Sequence, residues 1–212
     1  MTSIAAEKEA YPEHPVFDKN TIEFITVAAE YCAFIESCRR YAPKSFFDKS
    51  VKILSLLYLK ASLMPKMEDS SFSDLQQFVT EATYESIRGG VARLTAEHDE
   101  YLDVRIEEDG QSSDEYIAFI SEDLADIYQD LKDMLANFQS ADLNIMNDAL
   151  LDCMDNFSSF WGGKLLNALK AMHTVLHSGD LMEYAEDQKM YGEGYDEIEE
   201  GSNNVEIDFF ND

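Results

Sequence analysis

Positive charge is scarce in this sequence. Sixteen lysines and arginines stand against 43 aspartates and glutamates, a net charge of −27. Without a basic stripe nothing displaces counterions from a phosphate backbone, which argues against nucleic acid as a partner. An anionic membrane surface is disfavoured on the same ground. Cysteine is also sparse: Cys32, Cys38 and Cys153 are an odd set with no C-x-x-C pair. Six residues apart on one helix, Cys32 and Cys38 point about 120° away from each other and cannot bridge. That usage predicts reduced, packed thiols and a cytoplasmic protein. Four prolines and nine glycines in 212 residues leave room for long helices rather than many short strands. The densest apolar run, 53–59, is far too short to cross a bilayer, and residues 1–11 lack the apolar core of a signal peptide.

What remains is a chain with 45% apolar and 12% aromatic residues, enough for one globular domain. Its charge is uneven. Residues 179–212 carry 12 acids and one lysine, a net of −11, which leaves −16 for the rest. Three parts follow: a flexible N-terminal arm at 1–17, a helical bundle at 18–178, and an acidic, mostly disordered tail at 179–212. Asp18 or Asn20 caps a first helix that runs to about Tyr41. Pro43 opens a second over 44–63, apolar most of the way round and expected at the centre of the bundle. Residues 66–79 read as a polar connection. Thr80 begins a third helix whose inner face is Tyr84, Ile87, Val91 and Leu94, with Gly89-Gly90 marking first a close approach of a neighbour and, as the alternative, a bend. Residues 101–107 alternate as one short extended segment. A long acidic helix is expected over 114–139. The last, over 142–178, should be kinked or split at Gly162-Gly163. The fold class is all-α, an antiparallel helical bundle of about five to six helices.

The acidic helix carries the sharpest pattern. Leu124, Ile127, Tyr128, Leu131 and Leu135 fall at helical spacing on one face, and Glu122, Asp126, Asp130 and Asp133 fall opposite. The leucines should face the core and the acids water, so neutralising Asp130 should matter little to stability.

Four segments together resemble a known family. They are Leu59-Lys60-Ala61-Ser62-Leu63-Met64-Pro65, Phe78-Val79-Thr80-Glu81-Ala82-Thr83-Tyr84, the run from Ser121 to Asp130, and Phe160-Trp161-Gly162-Gly163-Lys164-Leu165. They are similar to a bacterial family of uncharacterised helical proteins, domain of unknown function 5063, over roughly residues 16–178. The resemblance implies an all-helical domain and no activity.

The chemistry-bearing residues divide the functional readings. Asp126, Asp130, Asp152 and Asp155 lie on helices in pairs three apart with Asp123, Asp133 and each other, a spacing at which two carboxylates can share a hard cation. Solvated surface is the first reading of them. The alternative is a Mg²⁺-dependent nucleotide phosphohydrolase, although the all-α pyrophosphohydrolases that work this way use glutamates on facing helices. His173 and His177 share a helix face, but no Glu-x-x-His partner of the di-iron type exists. There is no nucleophile elbow, P-loop or dinucleotide fingerprint. Trp161 reads as a core anchor. In the tail, Val205, Ile207 and Phe209 alternate with Glu206 and Asp208, and Phe210 follows. Such a peptide suits strand addition or a groove, on a partner or on residues 101–107 of the same chain. The function expected first is therefore a non-catalytic protein-interaction module, with no cofactor and a protein partner reached through the bundle surface or these tail residues.

Overall fold

The computed structural model describes residues 14–106 and 113–181. Six helices dominate: α1 (Lys19–Glu36), α2 (Pro43–Ser62), α3 (Glu81–Thr95), α4 (Ile120–Phe138), α5 (Leu143–Asn156) and α6 (Gly162–Ser178). A β-hairpin, β1 (Glu100–Ile106) and β2 (Ser113–Phe119), joins α3 to α4. The starts are chemically marked. The Asp18 carboxylate accepts from Asn20 N–H at 2.7 Å, and Asp142 from Asn144 N–H at 2.9 Å. Thr80 Oγ1 accepts from Thr83 N–H, and Pro43 sits in the first turn of α2, where its missing N–H costs nothing. No helix among the described residues is long and apolar enough to cross a membrane.

The centre of the bundle is α4, which packs against α1, α3, α5 and α6. This corrects the expectation for the 44–63 helix. That helix, α2, packs mainly against α1 and α6 and buries one face through Phe46, Phe47, Leu54 and Leu57, so Leu56, Leu59 and Leu63 stay exposed. Leu124, Ile127 and Leu131 are fully buried, each contributing roughly 1.5–3 kcal/mol. The Tyr31 hydroxyl, sealed in the same interior, donates to the Leu124 carbonyl at 2.7 Å.

The hairpin is the second difference. Residues 101–106 are extended as the alternation predicts, but 114–119 are strand rather than the first turns of the acidic helix. Ile120 N–H donates to the Asp99 carbonyl, and the Asp99 carboxylate then accepts from both Ser121 N–H and Ser121 Oγ. That buried side chain makes the bond a serine cap would otherwise supply, so the helix begins at Ile120. The ends of the domain also extend past the expected boundaries. Val16, within the expected arm, and Leu181, within the expected tail, both belong to the core.

Between α5 and α6 the chain makes a π-helical turn, Phe157–Trp161. The widened turn lets Trp161 sink fully into the core and donate from Nε1 to the Cys153 carbonyl at 3.0 Å. It also crowds Gly162. A Cβ built there would lie 2.3 Å from the Phe157 carbonyl oxygen, whereas one at Gly163 would meet nothing within 4 Å. Gly162→Ala should therefore cost roughly 1–3 kcal/mol in urea unfolding, while Gly163→Ala should be neutral or stabilising by up to about 1 kcal/mol. Equal effects at the two positions would contradict this packing.

Candidate functional site

The 66–79 connection has no regular backbone pairing; six of its N–H groups are met by side chains from α4 and α5, and the Phe72 N–H by Ser70 Oγ. The Asp148 carboxylate accepts from Ser71 N–H at 3.0 Å, Ser73 N–H at 2.8 Å and Ser71 Oγ at 2.8 Å. Asn147 accepts from Glu68 N–H and donates back to the Glu68 carbonyl. Asn137 does the same for Gln76, at 3.0 and 2.8 Å. Asp133 accepts from Phe78 N–H and Val79 N–H at 2.7 and 2.8 Å. Burial opposes charge on Asp148, but the N–H groups of Ser73 and Ser71 prevail and hold its carboxyl well below the ordinary carboxylate range.

One consequence is Phe72. Its neighbours on both sides are tied to Asp148, and Phe72 itself sits at φ +58° with its side chain 93% exposed. A non-glycine residue in the left-handed region costs about 1 kcal/mol or more. Among the described residues the phenyl ring packs on nothing that would offset that cost.

Beside this segment lies a cleft of about 440 Å³ between α4, α5 and residues 75–77. Asp126, Asp130, Asp133 and Asp152 line it together with Asn156 and Phe160. Of the paired acids singled out in the sequence, Asp126, Asp130 and Asp152 are thus brought together. Asp155 is exposed and outside the lining. The outer-face assignment for Asp126, Asp130 and Asp133 is corrected, since all three are half-buried and bonded. Asp126 accepts from the Tyr84 hydroxyl and pairs with Lys164 at 2.8 Å. Asp123, almost fully buried, binds the Tyr101 hydroxyl and Lys164. Burial raises the Asp123 carboxyl despite those two donors. Burial also pulls the Lys164 ammonium down, but Asp126 and Asp123 outweigh it and leave it raised. Asp130 accepts from Asn156 Nδ2 at 2.8 Å. Burial outweighs that bond and, with Asp152, Asp126 and Asp133 nearby, pushes its carboxyl up to about 6.

Other residues named from sequence fall elsewhere. His173 and His177 are exposed, their rings 4.5 Å apart on α6, and His98 packs its ring edge-on against Phe47. Trp161 is in the core, and Cys32, Cys38 and Cys153 are buried free thiols. Among the described residues no group of three or more His, Cys, Asp or Glu is placed to hold a metal ion. Val205, Ile207, Phe209 and Phe210 lie outside the described residues. Asp148 and Phe72 are not among the residues that helical periodicity or the three-residue carboxylate spacing singles out. The available signals were an aspartate inside the apolar row Met146–Ala149–Leu150, and an aromatic set among Ser70, Ser71 and Ser73.

A family model described as Domain of unknown function (DUF5063) matches residues 15–178. Among solved structures, the chain is similar to protein BF1032 from Bacteroides fragilis, a structural-genomics target. The two share 45% identity with a TM-score of 0.68, covering 76% of this chain and 95% of that one. No curated protein matches.

A carboxyl whose pKa rises from 3.8 to about 6 on folding holds its proton more tightly in the native state. Stability therefore falls as pH rises from about 4 to about 6, and the penalty is complete above that. Asp130→Asn removes it. In urea titrations at pH 8, with solvent screening of this half-buried group allowed for, the variant should be roughly 1–2 kcal/mol more stable than the wild type. The gain should shrink through pH 6 and vanish below pH 4. A lower or unchanged midpoint at pH 8 would contradict the assigned environment.

Proposed function

This chain belongs to the family called domain of unknown function 5063, and we propose that it is a non-catalytic protein-interaction module whose docking surface is the 66–79 segment and the acidic cleft beside it. One observation carries the reading: Phe72 is held exposed in a strained backbone conformation by bonds from a buried carboxylate to both of its neighbours. Backbone strain that the surroundings hold in place, under a side chain that packs on nothing among the described residues, is a mark of a functional position. Aromatic side chains presented on a rigid base are typical binding anchors, because little entropy remains to be lost.

The cleft suggests the chemistry of the partner. Phe160, partly exposed at its wall, offers a second aromatic contact, and the four aspartates offer negative charge. A partner presenting a lysine or arginine next to an apolar side chain fits both. The arriving cation would favour the charged form of Asp130, so binding would weaken as pH falls below about 6. The remaining 1–178 charge of −16 would speed the approach of such a partner.

The other reading, a divalent-metal nucleotide phosphohydrolase on Asp126, Asp130 and Asp152, has less support, because these carboxylates share a cleft without being placed to hold a metal ion. Titration with Mg²⁺ separates the two. Tight binding with nucleotide turnover supports the hydrolase, and neither is expected here.

Proteins captured from lysate of the native source should be lost in parallel from Phe72→Ser and from Asp130→Asn/Asp152→Asn, by roughly tenfold or more. They should be retained by Ile22→Ser, which removes an exposed apolar side chain from α1. Identical capture by all four proteins would overturn the proposal.

A further inference from the structure

The β1–β2 hairpin shows water a face that the bundle does not cover. Tyr101 and Asp103 point inward, where they bond Asp123 and Asn167. Alternation then puts Leu102 and Val104 on the opposite face, and the register pairs Leu102 with Ile117. These three apolar side chains are 71%, 51% and 57% exposed. Two strands alone are marginal in water, and a third over an apolar face is what ordinarily stabilises them. The ribbon also leaves half the backbone groups of β1 outside its ladder. Val104 N–H, for instance, is met by the Asp103 carboxylate at 2.8 Å.

The chain supplies a segment of matching pattern. Val205, Ile207 and Phe209 alternate with Glu206 and Asp208. It starts from a suitable place. Leu181, buried just past α6, anchors the departing chain. The outer half of α6, through Lys170, Ala171, Thr174 and Val175, forms a groove of about 320 Å³ with Tyr101, Leu102 and Asp103. The 22 residues from 182 to 203 span up to about 70 Å when extended and roughly 25 Å as a coil, so reach is no obstacle. Tethering of this kind gives a millimolar-scale effective concentration.

We propose that residues 204–210 of this chain add a third strand along β1. Val205, Ile207 and Phe209 extend the Leu102–Val104–Ile117 face, and Glu206 and Asp208 fall on the other side of the strand. Lys170 stands there among Glu97, Glu100 and Asp103, so the apolar face and the strand edge, not charge, carry the docking. This face shares no residue with the acidic cleft, so the proposal stands or falls apart from the function argued above.

Hydrogen exchange on the full chain tests it. In Ile207→Asp the amides of Leu102 and Val104 should exchange roughly tenfold faster than in the wild type, with those of α4 unchanged. Glu199→Gln, outside the segment, should leave them as they are. Equal exchange in wild type and Ile207→Asp would overturn the proposal. So would protection that grows with protein concentration, which would assign the face to a second copy of the chain.

Discussion

Side-chain carboxylates and amides on α4 and α5 serve as backbone partners for a stretch of chain that has none of its own. Asp133 and Asn137 stand one turn apart on α4, and Asn147 and Asp148 are adjacent on α5. Between them they bond the main chain of Glu68, Ser71, Ser73, Gln76, Phe78 and Val79. A connection of this length would otherwise bury or strand its polar groups. Here it is fixed on the bundle without strand or helix of its own, and the positive φ at Phe72 and one wall of the acidic cleft follow from that fixing.

Charge scarcity shapes the rest. With so few cations, the acids that enter the bundle must be met by neutral donors: tyrosine hydroxyls at Asp123 and Asp126, an amide at Asp130, peptide N–H groups at Asp133 and Asp148. Lysines meet few of them: Lys164 serves two aspartates at once, and Lys60 reaches from α2 to Glu23 on α1. Asp148, with four donors, keeps its charge easily, whereas Asp130, with one amide and three acidic neighbours, does so poorly. A buried charge with too few donors lowers stability, and a cationic guest is one way that loss can be offset.

Much of the architecture was legible in the sequence because apolar periodicity reports which face of a helix is buried. Leu124, Ile127 and Leu131 were identified that way, as were Ile87 and Val91 on α3. The same signal is silent about polar residues. It marks Asp126 and Asp130 as opposite the leucines, but it does not distinguish water from a neighbouring tyrosine or asparagine. In a helix surrounded on several sides, the opposite face also has neighbours. Strand β2 was hidden because Asp114–Phe119 continues the acidic pattern into α4. The bonds from Ile120 and Ser121 to Asp99 that set the boundary join residues some twenty apart. Phe72 is marked in the sequence only by its place among Ser70, Ser71 and Ser73, since the aspartate that holds its two neighbours lies 76 positions away.

The most direct test is Asp148→Ala, compared with the wild type by limited proteolysis and urea unfolding. Loss of the carboxylate strands the N–H groups of Ser71 and Ser73. Cleavage should then concentrate within 66–79, and stability should fall by roughly 2–4 kcal/mol. Cleavage sites and an unfolding midpoint indistinguishable from the wild type would contradict the account.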